Sequence, residues 1–245
     1  MQFCCPKCNK EEEIIGDVAP LCLQCRIPMV KASGYAGLWM NPRFVIARME
    51  RTMGTRGTDL VIAHGRFKKE REAWTSGMFA LGLAKLTGFE YWVEIETVEQ
   101  TPDTRIRRID QSSGHNVVTT QSCEIVDWEE HVDDILHVIR KKCRRAYPAH
   151  YCLLVLARNG KNVDFEIVVQ EIKKMQMPFA ELWILGRLSI ADMAMLRVIP
   201  DVLRVDFNIS EALEKILGRP EFVKPEKRGT STEFRDLGTA YLPVP

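Results

Sequence analysis

Two groups of side chains in this 245-residue chain have types and spacings that can do chemistry: four cysteines near the start and a few acidic residues further on. Cys5, Cys8, Cys22 and Cys25 stand in the spellings CPKC and CLQC, with thirteen residues between the two pairs. Two C-x-x-C pairs at this spacing suit a tetrahedral zinc ion, each pair supplying one tight turn and two thiolates. Pro6 stiffens the first turn. Asn9 tolerates the left-handed conformation that lets backbone N–H groups bend toward sulfur. Four thiolates leave no open position, so such a zinc is structural. Two disulfides or a redox dithiol are the competing readings. No apolar leader precedes the first pair, and Cys123, Cys143 and Cys152 sit in apolar or helical contexts, so a reducing cytoplasm is the expected setting. Cys4 is a spare neighbour able to replace Cys5, although C-x-x-x-C makes a poorer turn.

The acidic candidates are Asp103, directly after Pro102, Glu124 inside CEIVDW, and Glu70 and Glu72 in a mixed-charge run. Two or more hard oxygen donors close together hold Mg²⁺ or Mn²⁺, which orients a water and neutralises charge developing on a phosphate. Each residue also has an ordinary explanation: a turn aspartate, a solvent-facing strand glutamate, a solvated helix face. Geometry decides, because carboxylates more than about 8 Å apart cannot share an ion whose ligand distances are about 2.1 Å. The five histidines show no paired ligand spacing, and no phosphate-binding glycine loop or G-x-S-x-G elbow occurs. The tryptophans, Trp39 and Trp128 included, read as core residues rather than base-stacking platforms.

The elements that must position these groups follow from periodicity. A ribbon over 1–30 precedes a basic connector over 31–67, which holds a short helix near Arg43 to Thr52. From Lys68 to Leu86, Trp74, Met78 and Leu81 with Ala73, Gly77, Ala80 and Ala84 recur at helical spacing, closed by Gly88. Three strand-like segments follow, Glu90 to Thr97, Arg105 to Asp110 and Asn116 to Asp127, and read as an antiparallel meander. Glu129 to Arg145 places Val132, Ile135, Leu136, Ile139 and Cys143 on one helical stripe. Tyr151 to Ala157 is a continuous apolar run expected of a strand buried on both faces. A helix over Asn162 to Met175 and a strand over Glu181 to Leu185 complete a pair of crossovers. Ser189 with Asp192 predicts a helix carrying Met193, Met195 and Leu196, and Ser210 opens another that Gly218 and Pro220 end. The main domain thus runs over 68–218, and 219–245 reads as a polar tail.

Helix, three-strand meander, helix, strand, helix, strand: in this order the α/β stretch from Lys68 to Leu188 resembles the restriction-endonuclease-like fold of the PD-(D/E)XK nuclease superfamily. The resemblance rests on element order together with Pro102-Asp103 and Glu124. It implies metal ligands on the second and third strands, Asp103 and Glu124, with the Ile125 carbonyl as a third and Glu70 or Glu72 joining from the first helix. The family's lysine belongs two residues after the glutamate, but Val126 stands there. Gln121, Lys141 and Lys142 are the candidates to take over its stabilisation of the transition state. The activity implied is Mg- or Mn-dependent hydrolysis of phosphodiester bonds, with Asp103, Glu124, Glu72 and Gln121 in the site. The alternative is a catalytically inactive zinc-ribbon protein that binds nucleic acid or serves an assembly, which Val126 favours. A doubly wound domain binding a small ligand is the third reading, opposed by the continuous meander.

The net charge of +1 gives no whole-molecule attraction to polyanions. It is uneven, however, with eight Lys or Arg against three acids between Asn41 and Arg71, followed by Arg105, Arg107 and Arg108 and by Lys141, Lys142, Arg144 and Arg145. Nucleic acid, DNA ahead of RNA, is therefore the partner expected, with protein assembly partners beside it. The longest strongly apolar run, Cys152 to Ala157, is far short of the roughly 18 residues that a membrane span requires.

Overall fold

The meander read from the sequence is the centre of a nine-stranded mixed sheet. The computed structural model describes residues 2–4, 11–13, 30–31, 39–95, 102–110, 117–129, 134–148, 150–158, 164–218 and 222–223. Near the start, β1 (Gln2–Cys4) pairs antiparallel with β2 (Glu11–Glu13) and β3 (Val30–Lys31). Cys5, Cys8, Cys22 and Cys25 lie outside the described residues.

The large sheet begins inside the stretch read as a connector. The short strand β4 (Trp39–Met40) leads into α1 (Pro42–Arg56) and α2 (Thr58–Ala63). Asn41 caps α1 by accepting the Arg43 N–H, and Pro42 occupies the first turn, where a missing N–H costs nothing. Then α3 (Lys68–Thr87) runs to Gly88, whose φ of 75° is the left-handed cap that the sequence predicts. The meander is β5 (Glu90–Ile95), β6 (Thr104–Asp110) and β7 (Val117–Trp128), antiparallel throughout. Two crossovers follow, α4 (Ile135–Cys143) to β8 (Cys152–Ala157) and α5 (Phe165–Lys173) to β9 (Glu181–Arg187), with β7, β8 and β9 parallel.

After β9 the structure departs from the expected helix. Asp192–Ile199 is a strand, β10, antiparallel to β9, and a further strand, β11 (Leu203–Asn208), pairs with it. The reason is a period of two: Met193 and Met195 are buried while their neighbours are half-exposed. Ser189 does accept the N–H groups of Ala191 and Asp192 and donates to the Asp192 carboxylate, but these bonds close the β9–β10 turn instead of starting a helix. Asn208 caps α6 (Ile209–Glu214), and β12 (Phe222–Val223) pairs with β4. The order across the sheet is β11-β10-β9-β8-β7-β6-β5-β4-β12.

Both faces of the parallel centre are covered. On one, α1 and α3 bury Phe44, Met78, Phe79 and Leu81 against Ile106, Cys123, Leu154 and Trp183. On the other, α4 and α5 bury Ile135, Ile139, Val168 and Ile172 against Trp128, Leu153, Val155 and Ile184. That is why β8 reads as an unbroken apolar run. Trp39 and Trp128 are buried, as packing residues should be. No helix among the described residues is long and apolar enough to cross a membrane.

Candidate active site

The β6–β7 register decides where the two strand carboxylates stand. Thr104 pairs with Cys123, so continuing the antiparallel ladder by one residue sets Asp103 opposite Glu124. The chain leaves the ladder there, at Pro102, which has no N–H to offer. The Asp103 side chain stands in for the missing backbone acceptor, its Oδ2 receiving the Ile125 N–H at 2.9 Å. Alternation along β7 turns Cys123 and Ile125 toward α3 and leaves Glu124 on the side of Trp128 and α4. Both carboxylates are buried, Asp103 with 8 % and Glu124 with 2 % of its surface exposed.

Helix α4 brings the cation. Asp134 caps it by accepting the Leu136 N–H, and Arg140, Lys141 and Lys142 occupy its last turn, where positive charge opposes the helix dipole. Lys142 continues the sheet-facing stripe of Ile135, Val138 and Ile139, whereas Lys141 is exposed. Lys142 Nζ donates to Glu124 Oε2 at 2.8 Å and lies 3.9 Å from Asp103 Oδ2. The two oxygens can therefore be no further apart than the sum of those distances, and an ion at about 2.1 Å from each would draw them to within about 4.2 Å of one another. Like charges set directly opposite on paired strands repel, and the ammonium between them offsets that repulsion. Glu124 Oε1 is buried and accepts no hydrogen bond.

From the other side, α3 contributes Glu72, only 4 % exposed, while Glu70 turns away to Arg48 at 3.6 Å. Lys69 Nζ is 2.8 Å and Lys68 Nζ 3.4 Å from the Glu72 oxygens, but neither oxygen is aligned for a hydrogen bond. Burial, and secondarily the Asp103 charge, hold the Glu72 carboxyl above its ordinary pKa. The Asp103 charge thus acts on Glu72 through space, from the far side of the sheet edge that α3 covers. Tyr147 stands beyond α4 with its ring 4.6 Å from that of Phe179. Burial and then the neighbouring Glu124 charge push its phenol up to about 12, the buried hydroxyl lying beside the Glu124 carboxylate and Arg145.

The structure therefore gathers Glu72, Asp103, Glu124 and Lys142. Gln121 does not join them: it lies three residues, an odd offset, from Glu124 and pairs with Ile106, so it belongs to the opposite face of β7. Lys142 was one of three sequence candidates for the displaced lysine, and its position on the apolar stripe of α4 is the signal that separates it from Lys141. Tyr147 carried no sequence signal. Several cations between Asn41 and Arg71 are held internally, Arg48 by Glu70, Lys68 and Lys69 by Glu72, and Arg71 by the Val61 and His64 carbonyls, while Arg43, Arg51, Arg56 and Arg66 are exposed.

Among the described residues, no three His, Cys, Asp or Glu side chains converge tightly enough to enclose a metal ion. The pair Asp103 and Glu124 nonetheless suits a hard divalent cation, being all-oxygen and having one buried oxygen, Glu124 Oε1, without a partner. No protein-family model, curated protein or solved structure matches the chain.

Proposed function

We propose that this chain is a Mg- or Mn-dependent nuclease with a restriction-endonuclease-like core, in which Lys142 takes the role that Val126 cannot fill. The observation carrying the reading is one ammonium resting on two carboxylates from adjacent strands, Lys142 Nζ at 2.8 Å from Glu124 and 3.9 Å from Asp103. Asp103 and Glu124 would hold the ion, which supplies an activated water and a counter-charge for the phosphate when bound. Asp103 is fixed for this by the Ile125 N–H, so it presents its second oxygen without rearrangement. Lys142 supplies a cation on a flexible stem within reach of charge developing on a phosphate oxygen. Glu72, whose carboxyl burial pushes above its ordinary pKa, would serve as a proton-holding group near Asp103. Cys5, Cys8, Cys22 and Cys25 would bind one structural zinc, a small module fit to grip nucleic acid beside the exposed arginines of α1.

A second reading, an inactive binding or assembly subunit, draws on the low exposure of Glu72 and Glu124. The two are separated by incubating the protein with single- and double-stranded DNA and Mg²⁺ or Mn²⁺, beside an Asp103→Asn/Glu124→Gln variant. Cleavage by the parent and not the variant is expected. Cleavage by both, or by neither while both bind DNA equally, would remove the nuclease assignment. Elemental analysis should find one zinc per chain, lost on Cys8→Ser/Cys25→Ser.

A further inference from the structure

We infer that Lys142 is a built-in competitor of the metal: its ammonium occupies the carboxylate pair in the resting protein and must leave when a divalent cation binds. The inference rests on the metal-site reading above and goes beyond it by assigning the resting occupant. Three observations carry it. Lys142 Nζ hydrogen-bonds Glu124 Oε2 and lies within ion-pair distance of Asp103 Oδ2, so it uses one oxygen of each residue that would ligate the cation. A divalent cation and an ammonium cannot both sit between the two carboxylates, since they repel one another. Glu124 itself is 2 % exposed with its second oxygen unpartnered, so the pair is half-satisfied by lysine and retains capacity for a stronger acceptor of its electrons.

Lys142 has somewhere to go. Its side chain is 18 % exposed and sits in the last turn of α4, where a four-carbon stem can swing toward solvent without unwinding the helix. The groups facing it are few: Asp103 and Glu124 across the sheet, with Tyr147 beyond α4 near Glu124. Displacement does two things at once. It frees both ligands, and it sends the ammonium outward, toward the side from which a phosphodiester must approach. Metal entry and presentation of the cation are then one event. At rest this pair of carboxylates is also not bare, so it does not scavenge metal unselectively.

Differential affinity sets the scale: the parent must spend part of its metal-binding energy releasing the lysine. Removing the competitor should therefore tighten Mn²⁺ binding by about tenfold, in the ordinary range of coupling between sites. Titration calorimetry with Mn²⁺ alone on the full chain, parent against Lys142→Gln, reads this directly, with Asp103→Asn/Glu124→Gln as the blank. Because Lys142→Gln strands two buried charges and can fold poorly, a second measurement uses the parent only. Acylation of lysine amines by an N-hydroxysuccinimide ester, located by mass spectrometry, should increase at Lys142 on adding Mn²⁺ and stay constant in the blank. Mn²⁺ binding that depends on the two carboxylates, with Lys142 labelling and Lys142→Gln affinity both unchanged, would overturn the competition and leave the metal site standing. No carboxylate-dependent Mn²⁺ binding in the parent or in Lys142→Gln would overturn both.

Discussion

Substituting Lys142 by methionine isolates the ion pair, since the apolar stem keeps its volume and only the charge is lost. Glu124 is 2 % exposed, and its Oε2 has the ammonium at 2.8 Å; its Oε1 has no hydrogen bond to fall back on. Asp103, 8 % exposed and opposite in register, adds a second negative charge to the stranded pair. Removing one partner of a buried pair costs about 3–5 kcal/mol, because the other charge is left uncompensated. In a chain of this size each kcal/mol lowers Tm by about 2–4 °C, so Lys142→Met should melt roughly 6–20 °C below the parent at neutral pH. Glu124→Gln should cost less, since Lys142 can reach water and retains Asp103. The double variant should recover at least half of the loss, a coupling of about 1.5 kcal/mol or more. Urea unfolding at pH 7 with chelator present closes the cycle. Additivity within about 0.5 kcal/mol would refute the claim that this ammonium neutralises the pair.

Glu72→Gln should raise Tm at pH 7. A carboxyl whose folded pKa is raised contributes stability that is complete below its ordinary value near 4.5 and lost as pH rises through the folded value, so the variant's advantage should disappear on acidification. Gly77→Ala should destabilise the α1–α3 contact despite a helix-propensity gain of about 1 kcal/mol, because a β-carbon there would lie 2.6 Å from a Val45 methyl and 3.3 Å from the Pro42 carbonyl. Overpacking costs about 1–3 kcal/mol, and Val45→Ala in the same chain should return much of it, as read by thermal melting. Cys123 and Cys152, paired in register on β7 and β8 and fully buried, should react with a thiol reagent only on unfolding, since burial and then the neighbouring thiol push Cys152 well up. Rapid native labelling of either would contradict that packing.

Periodicity was enough wherever one element faced one environment. The helix ending at Gly88, the meander, and the doubly buried β8 all follow from patterns of 3.6, of two, and of unbroken apolarity. It failed after β9, where Ser189 and Asp192 satisfy the same local hydrogen-bonding logic in a hairpin turn as they would at a helix start. Only the sheet edge offered by β9 chooses between them, and that edge is a tertiary fact. Val205 and Phe207 alternate too briefly to outweigh the loop signals around them. At the site, the strand carboxylates were singled out by the resemblance in element order, while the register that sets Asp103 opposite Glu124 comes from the pairing of β6 with β7. The choice of Lys142 over Gln121 and Lys141 required knowing which face of β7 meets which stripe of α4.

Stability does not account for the four-residue cluster. Carboxylates on neighbouring elements repel, burial and secondarily the Asp103 charge hold Glu72 above its ordinary pKa, and burying an ion pair seldom outperforms apolar side chains of the same shape. If the cluster were there to hold the fold, replacing it with a well-packed apolar set would lower stability. If it is there to act, the same replacement should raise it, as expected where a site's demands oppose those of the fold. The substitutions must respect one structural duty: Asp103 accepts the Ile125 N–H, so Asn, which keeps an acceptor, is used there. The chain carrying Asp103→Asn, Glu124→Leu and Lys142→Met should therefore unfold at higher urea than the parent, by about 1–4 kcal/mol, while losing carboxylate-dependent Mn²⁺ binding. A triple variant less stable than the parent by a similar amount would make the cluster a structural device and withdraw the main reason for reading it as a site.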